Sequence, residues 1–157
     1  MGGETICIVL LGALTLLLVS AGVEDARTRE IANWKNAAIA LLAPLWWWTN
    51  ATHFWPDLAI QLGIAAILFA LFVGAFAAGW MGGGDVKMIG AIALWLPFQP
   101  LASMLVTMSL IGGVLTLVMV IERAVRRNSG AIEIPYGVAI ALAGLLAIRE
   151  PLFNQFR

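Results

Sequence analysis

The sequence predicts an all-α, polytopic membrane protein of six transmembrane helices with both termini on the outer side. Hydrophobic residues fill 62% of the 157 positions and charged residues 11%, too little polar surface to coat a water-soluble globule of this size. Long charge-free runs alternate with short charged segments, and the Lys and Arg residues gather in every second loop. The nine acidic and nine basic side chains cancel, so no net field points to nucleic acid or to an acidic substrate. The expected surroundings are a lipid bilayer, and all 157 residues form a single membrane domain.

A helix rises about 1.5 Å per residue and must cross about 30 Å of hydrocarbon, so roughly 20 apolar residues make one span. Residues 5–23 form the first. No basic segment precedes this run and the acidic pair Glu24-Asp25 follows it, which marks a retained helix rather than a cleaved signal peptide. Residues 36–53 form the second span and 58–79 the third, which dissolves into glycines. The run from Met88 to Ile121 is too long for one straight helix, and "LPFQP" places Pro97 and Pro100 where a helix must break. It therefore divides into spans at 84–96 and 101–121. The last, 135–149, opens on Pro135, suited to a first turn, and ends at Arg149, whose long side chain reaches the interface.

Positive charge favours the cytoplasmic loops. Arg27, Arg29 and Lys35 follow the first span, Lys87 lies at the start of the fourth, and Arg123, Arg126 and Arg127 follow the fifth, so seven of the nine basic residues share one side. Arg149 and Arg157 run against this orientation. The opposite loops, "WWWTNATHFWPD" and "LPFQP", hold no Lys or Arg, and Trp46, Trp47, Trp48 and Trp55 suit an interfacial aromatic belt. A single helix over 88–121 would separate the arginines at 123–127 from Arg27 and Arg29, which favours six spans over five.

Parity then places two carboxylates on the same face. Asp25 ends a helix that runs inward, and Asp85 begins one that runs outward. Too few residues separate Asp85 from Pro97 to cross a bilayer, so Asp85 is expected below the headgroups or beside thinned membrane. Asp57 belongs to the opposite face, whereas Glu24, Glu30, Glu122 and Glu133 remain open as partners on topology alone. Two carboxylates held together in a low-dielectric site resist double ionisation. One keeps a proton while the other does not, so the pair can act as general base on a water and general acid toward an amide leaving group. Gly82, Gly83 and Gly84 would let an extended substrate backbone approach. Each feature also has a plainer reading: Asp85 as a helix cap, Asp25 as a solvated loop acid, the glycines as packing positions. His53 suits an interfacial residue, and Cys7, the sole cysteine, permits neither an internal disulfide nor a cysteine-built zinc site. No metal or other cofactor is expected.

The stretch "GGGDVKMIGAIALW" resembles the GxGD signature of intramembrane aspartyl proteases, and its "GGGDVK" form is similar to that of the type IV prepilin peptidases. "EDARTREIANW" resembles that family's D-x-R-x-R-x-I-P-N pattern after the first helix, and "IPYGVAIALAG" the opening of its last. The resemblance spans essentially the whole chain. It implies catalytic roles for Asp25 and Asp85, the pair that topology selects, and makes Lys87 the basic residue of the motif. Gly82, Gly83, Gly84 and Lys87, with Pro135, Tyr136 and Gly137, are the candidate substrate-binding residues. The implied reaction removes a short basic prepilin leader at the cytoplasmic face of the bacterial inner membrane, after a glycine. The pilus assembly machinery is a further implied partner.

Two departures matter. Ala32 replaces the proline of "IPN", and the paired C-x-x-C insertion of the larger, N-methylating members is missing. The chain thus resembles the short, peptidase-only branch of tight-adherence (Flp-type) pili, for which methylation is not expected. The rival readings are a small transporter or channel component using Asp25 and Asp85 as ion or proton ligands, and a non-catalytic pilus-secretion scaffold. A transporter would be expected to show an inverted repeat between the halves of the chain, and none is legible.

Overall fold

The computed structural model describes the backbone of residues 2–50, 54–126 and 134–155. His53, Arg127 and Glu133 fall outside them. Among these residues six α-helices follow one another: α1 (Gly2–Thr28), α2 (Asn33–Thr49), α3 (Ala59–Ala77), α4 (Gly83–Ala93), α5 (Phe98–Arg126) and α6 (Tyr136–Gln155), with a kinked turn, Phe54–Leu58, ahead of α3 in which Trp55 is extended. Residues 3–28, 55–77 and 98–125 are each long and apolar enough to cross a membrane alone, and Tyr136–Arg149 is a shorter apolar helix. This is a membrane protein.

The helices form two groups that meet at α4. α1 packs on α6 and α6 on α5; α2 and α3 each pack on α4, which also touches α6, while α1 and α2 stay in contact through their short connection. α4 is accordingly the most enclosed: Val86, Met88, Ile89, Ala91, Ile92 and Ala93 are all buried. α3 and α5 instead turn Ile67, Leu71, Val106 and Leu110 outward, the surface that lipid would cover.

At 11 residues α4 is about 16 Å long, half a bilayer. Its last carbonyls therefore end among apolar neighbours, where an unpaired one costs several kcal/mol. Side chains from both flanking helices close them. Gln61 Nε2 donates to Ala93 O at 2.7 Å and to Leu96 O at 2.6 Å, and Trp47 Nε1 donates to Leu94 O at 2.8 Å. Trp95, just beyond, donates from Nε1 to Ile39 O at 2.8 Å and stacks on Trp46 with ring centres 5.7 Å apart. This revises the expected aromatic belt: Trp48 and Trp55 are exposed, but Trp46 and Trp47 face inward to finish α4.

Helix ends differ from the expected spans in several places, α2 running over Asn33–Thr49 rather than 36–53 and α4 over Gly83–Ala93 rather than 84–96, and two more of these shifts bear on the site. α1 continues past Val23 to Thr28, so Glu24 and Asp25 are helical residues rather than the start of a loop. α5 begins at Phe98, so Pro100 lies in its first turn, where no intrahelical N–H bond is required, and of the two prolines only Pro97 lies between the helices.

Candidate active site

α1 stops at Thr28 because Arg29 adopts a left-handed conformation, φ 59°, and its N–H returns to Asp25 O at 3.0 Å. Glu24 secures the turn that follows. Its Oε2 accepts from the Ala32 N–H at 3.0 Å and pairs with Lys35 Nζ at 3.0 Å, while the same ammonium donates to Ser20 O at 3.0 Å. Lys35 is buried, so these partners answer its charge locally. Asp25, one position along and buried, faces the other way.

It faces the start of α6. The Val138 N–H donates to Asp25 Oδ2 at 3.2 Å and the Gly137 N–H is also directed at the carboxylate, so the positive end of the α6 dipole meets Asp25. Such an approach needs small residues. A Cβ at Gly137 would lie 2.8 Å from Asp25 Cγ and 2.7 Å from Ile31 Cδ1, and one at Gly22 would lie 2.9 Å from the Cβ of Ala141. Gly137, Ala141 and Gly144 stand at i, i+4 and i+7, one stripe of α6 turned to α1.

Asp85 stands in the first turn of α4, two residues after the first helical position, with Gly82 as N-cap in an extended conformation. The Gly82 N–H is directed at the Asp85 carboxylate. Gly84 packs against Ile31, where a Cβ would come within 3.2 Å of the Ile31 Cβ, and its carbonyl accepts from Asn36 Nδ2 at 3.1 Å. The α1–α2 turn and the α4 start are thereby fixed to each other.

The result is one cavity of about 320 Å³ with Asp25 and Asp85 in its walls, together with Gly82, Gly83, Gly84, Arg29, Glu30, Ile31 and Asn33. The two carboxylates are close enough for their charges to interact. Of the other acids, Glu24 is committed to Lys35 and the Ala32 amide, Glu30 is an exposed wall residue, and Asp57 belongs to the turn before α3, a full helix length from the glycines. Among the described residues no group of three His, Cys, Asp or Glu side chains gathers that could hold a metal ion.

The remaining candidates occupy neighbouring positions. Lys87 Nζ donates to Asn33 Oδ1 at 2.7 Å and lines a second groove, of about 420 Å³, that shares Asn33 with the first. Pro135, Tyr136 and Gly137 do not line the dyad cavity: Pro135 is buried, Tyr136 packs against Gly112, and Gly137 backs Asp25. Residue patterns offered Lys35 only as a charge that sets orientation and did not single out Asn36. Asn36 is buried between α2 and α4, lines the second groove, and its Oδ1 has no partner among the described residues. The signal for both was present, two polar residues opening an otherwise apolar span.

Residues 12–117, more than half of the chain and including both aspartates, match the model of the type IV leader peptidase family. The chain belongs to that family. No curated protein and no solved structure matches it. As a type IV leader peptidase it is a membrane-embedded hydrolase of peptide bonds. The matched region ends within α5, so α6, which supplies the Asp25 amides, lies outside it.

Proposed function

We propose that this type IV leader peptidase is an aspartyl endopeptidase that removes the short basic leader of Flp-like prepilins, after a glycine, at the cytoplasmic face of the bacterial inner membrane. The observation that carries the reading is the convergence of Asp25 and Asp85 on one cavity from two different helices. One carboxylate takes a proton from a water that attacks the scissile carbonyl; the other gives a proton to the departing amine. Backbone amides of α6 hold Asp25 in place, and the Gly82 amide faces Asp85.

The six-span topology with both termini outside belongs to this proposal, as does a single domain over 1–157. It is supported by the basic residues near the cavity, Arg27, Arg29, Lys35 and Lys87, and by the position of Asp57 at the far end of α3. Gly82, Gly83 and Gly84 give the substrate backbone access to the dyad, and Lys87 stands at the edge. The pilus assembly machinery is the proposed neighbour that receives the product.

Co-expression with a Flp-type prepilin tests the reading. Wild type should shorten the prepilin by its leader, read by mass, and Asp25→Asn and Asp85→Asn should each stop the cut, because asparagine keeps the shape but exchanges no proton. Cleavage at near wild-type rate by either variant would sink the aspartyl mechanism.

A further inference from the structure

At the end of the bundle away from the aspartates, α5 and α6 part around a cavity of about 500 Å³. One wall carries Gln99, Ser103 and Thr107, spaced i, i+4 and i+8 and so aligned along one face of α5. Arg149, late on α6, lines the other. Gly137 touches Asp25 and Arg149 lies twelve residues further along the same helix, so about 18 Å separates this cavity from the dyad.

The bonding of these side chains sets them apart. Several helical hydroxyls elsewhere close onto their own backbone: Thr15 donates to Leu11 O at 2.8 Å, Ser109 to Leu105 O at 2.8 Å and Thr116 to Gly112 O at 2.7 Å. That is the usual way a hydroxyl is satisfied where water is scarce. Among the described residues Ser103 and Thr107 make no hydrogen bond, and neither do Gln99 and Arg149. Four side chains able to donate, one a permanent cation, therefore line one space, and among the described residues no carboxylate lines it with them. Such a set calls for an anion with several acceptor oxygens. The apolar part of the wall, Met104 and Leu146, adjoins α5, whose Val106 and Leu110 are exposed.

We infer that this cavity binds the phosphodiester of a phospholipid headgroup, Arg149 gripping two of its oxygens, the hydroxyls and Gln99 completing its bonds, and the acyl chains lying along the exposed face of α5. A guanidinium fork matches phosphate oxygens in pairs, and its charge answers the single negative charge of a diester. The assignment also accounts for Arg149 standing against the distribution of the other basic residues. It requires only that the helices lie in a bilayer, and does not depend on the hydrolytic chemistry of the dyad.

The full chain purified in a neutral detergent provides the test, with binding read by native mass spectrometry and by thermal unfolding. Dioleoyl phosphatidylglycerol should bind and stabilise; dioleoylglycerol, with the same tails and no phosphate, should not. Arg149→Gln should weaken phosphatidylglycerol about tenfold or more, the loss expected of a charged hydrogen-bonding partner. Ser103→Ala with Thr107→Val should weaken it severalfold while Arg149 is intact. Equal binding of the two dioleoyl lipids, or unchanged binding by Arg149→Gln, would overturn the inference. Inorganic phosphate stabilising as well as the lipid would also overturn it, by making the site one for free anions.

Discussion

Replacing Gly137 by alanine adds one methyl group at the point where α6 meets the dyad. That methyl would lie 2.7 Å from Ile31 Cδ1, 2.8 Å from Asp25 Cγ and 2.9 Å from Asp25 Cβ. Carbon atoms in contact settle at about 3.5–4.0 Å, so the helices must separate by about 0.6 Å or more. Ile31 can yield, because its Cδ1 is the end of a flexible side chain. Asp25 Cβ moves only with the α1 backbone. The Val138 N–H to Asp25 Oδ2 bond, already 3.2 Å, is then stretched past useful range, and the carboxylate shifts relative to Asp85.

Overpacking of this kind costs about 1–3 kcal/mol of stability, and misplacing a reacting group by about 1 Å costs on the order of a hundredfold in rate. Gly137→Ala should therefore cut prepilin processing about a hundredfold while the protein remains folded. Alanine is the better helix former by about 1 kcal/mol, so intrinsic propensity opposes the loss and cannot produce it. Gly12→Ala and Gly113→Ala are the controls, since a Cβ at either meets nothing within 4 Å. The assay is the initial rate of leader removal in isolated membranes, paired with thermal unfolding of the purified variant. A wild-type rate in Gly137→Ala would refute the positioning of Asp25 by α6. So would a lowered melting temperature with the rate per folded molecule unchanged.

Asp25→Asn combined with Asp85→Asn should process prepilin little worse than either single variant, because the two act as one unit, whereas Asp57→Asn should retain the chemistry and Glu24→Gln should retain it per folded molecule at lower stability, since buried Lys35 loses its counter-charge; additive losses in the double variant would count against a dyad. Gly84→Val should stop processing while the protein still inserts: its Cβ would come within 3.2 Å of Ile31 Cβ and 3.6 Å of Ile31 N, and its two methyl groups add to the crowding between α4 and the α1–α2 turn. Trp95→Phe removes the bond to Ile39 O and should lower unfolding free energy by about 1 kcal/mol, read by thermal or denaturant unfolding. Reporter fusions should place Arg29, Lys87 and Arg126 in the cytoplasm and Asn50 and Gln99 outside; Arg29 and Lys87 on opposite faces would be incompatible with a shared cavity.

Much of the helix order was legible in the sequence because the signals for it are local. Charge-free runs bounded by charged or glycine-rich segments mark six helices, and "LPFQP" divides the long apolar run where α4 gives way to α5. The Asp25–Asp85 pairing was legible for a different reason. Alternation of helix direction is a counting argument that needs no side-chain detail, and both residues do line the same cavity. Hydropathy could not place the end of α1, because Glu24 and Asp25 look like solvent-facing punctuation. Glu24 is instead held by Lys35 and the Ala32 amide, and Asp25 by α6, partners distant in sequence that keep both within the helix.

The contribution of α6 shows what residue patterning leaves out. "IPYGVAIALAG" reads as an apolar helix opening on a turn, and the resemblance makes its Gly137 a candidate for substrate binding rather than a support for Asp25. The effect of this glycine depends on which helix it meets. Against lipid, Gly137 would matter little; against Asp25, the missing Cβ lets an N-terminal amide of α6 bond to the carboxylate. α4 follows the same logic in reverse. Its shortness places Asp85 at a helix start within the bundle, and the carbonyls left open at its other end are closed by Gln61 and Trp47 from the flanking helices. A carboxylate recessed from water, a helix half a bilayer long and the two side chains that finish it are thus parts of one solution. Loss of Gln61 or Trp47 should therefore act on the dyad through the position of α4, although neither residue lines the cavity.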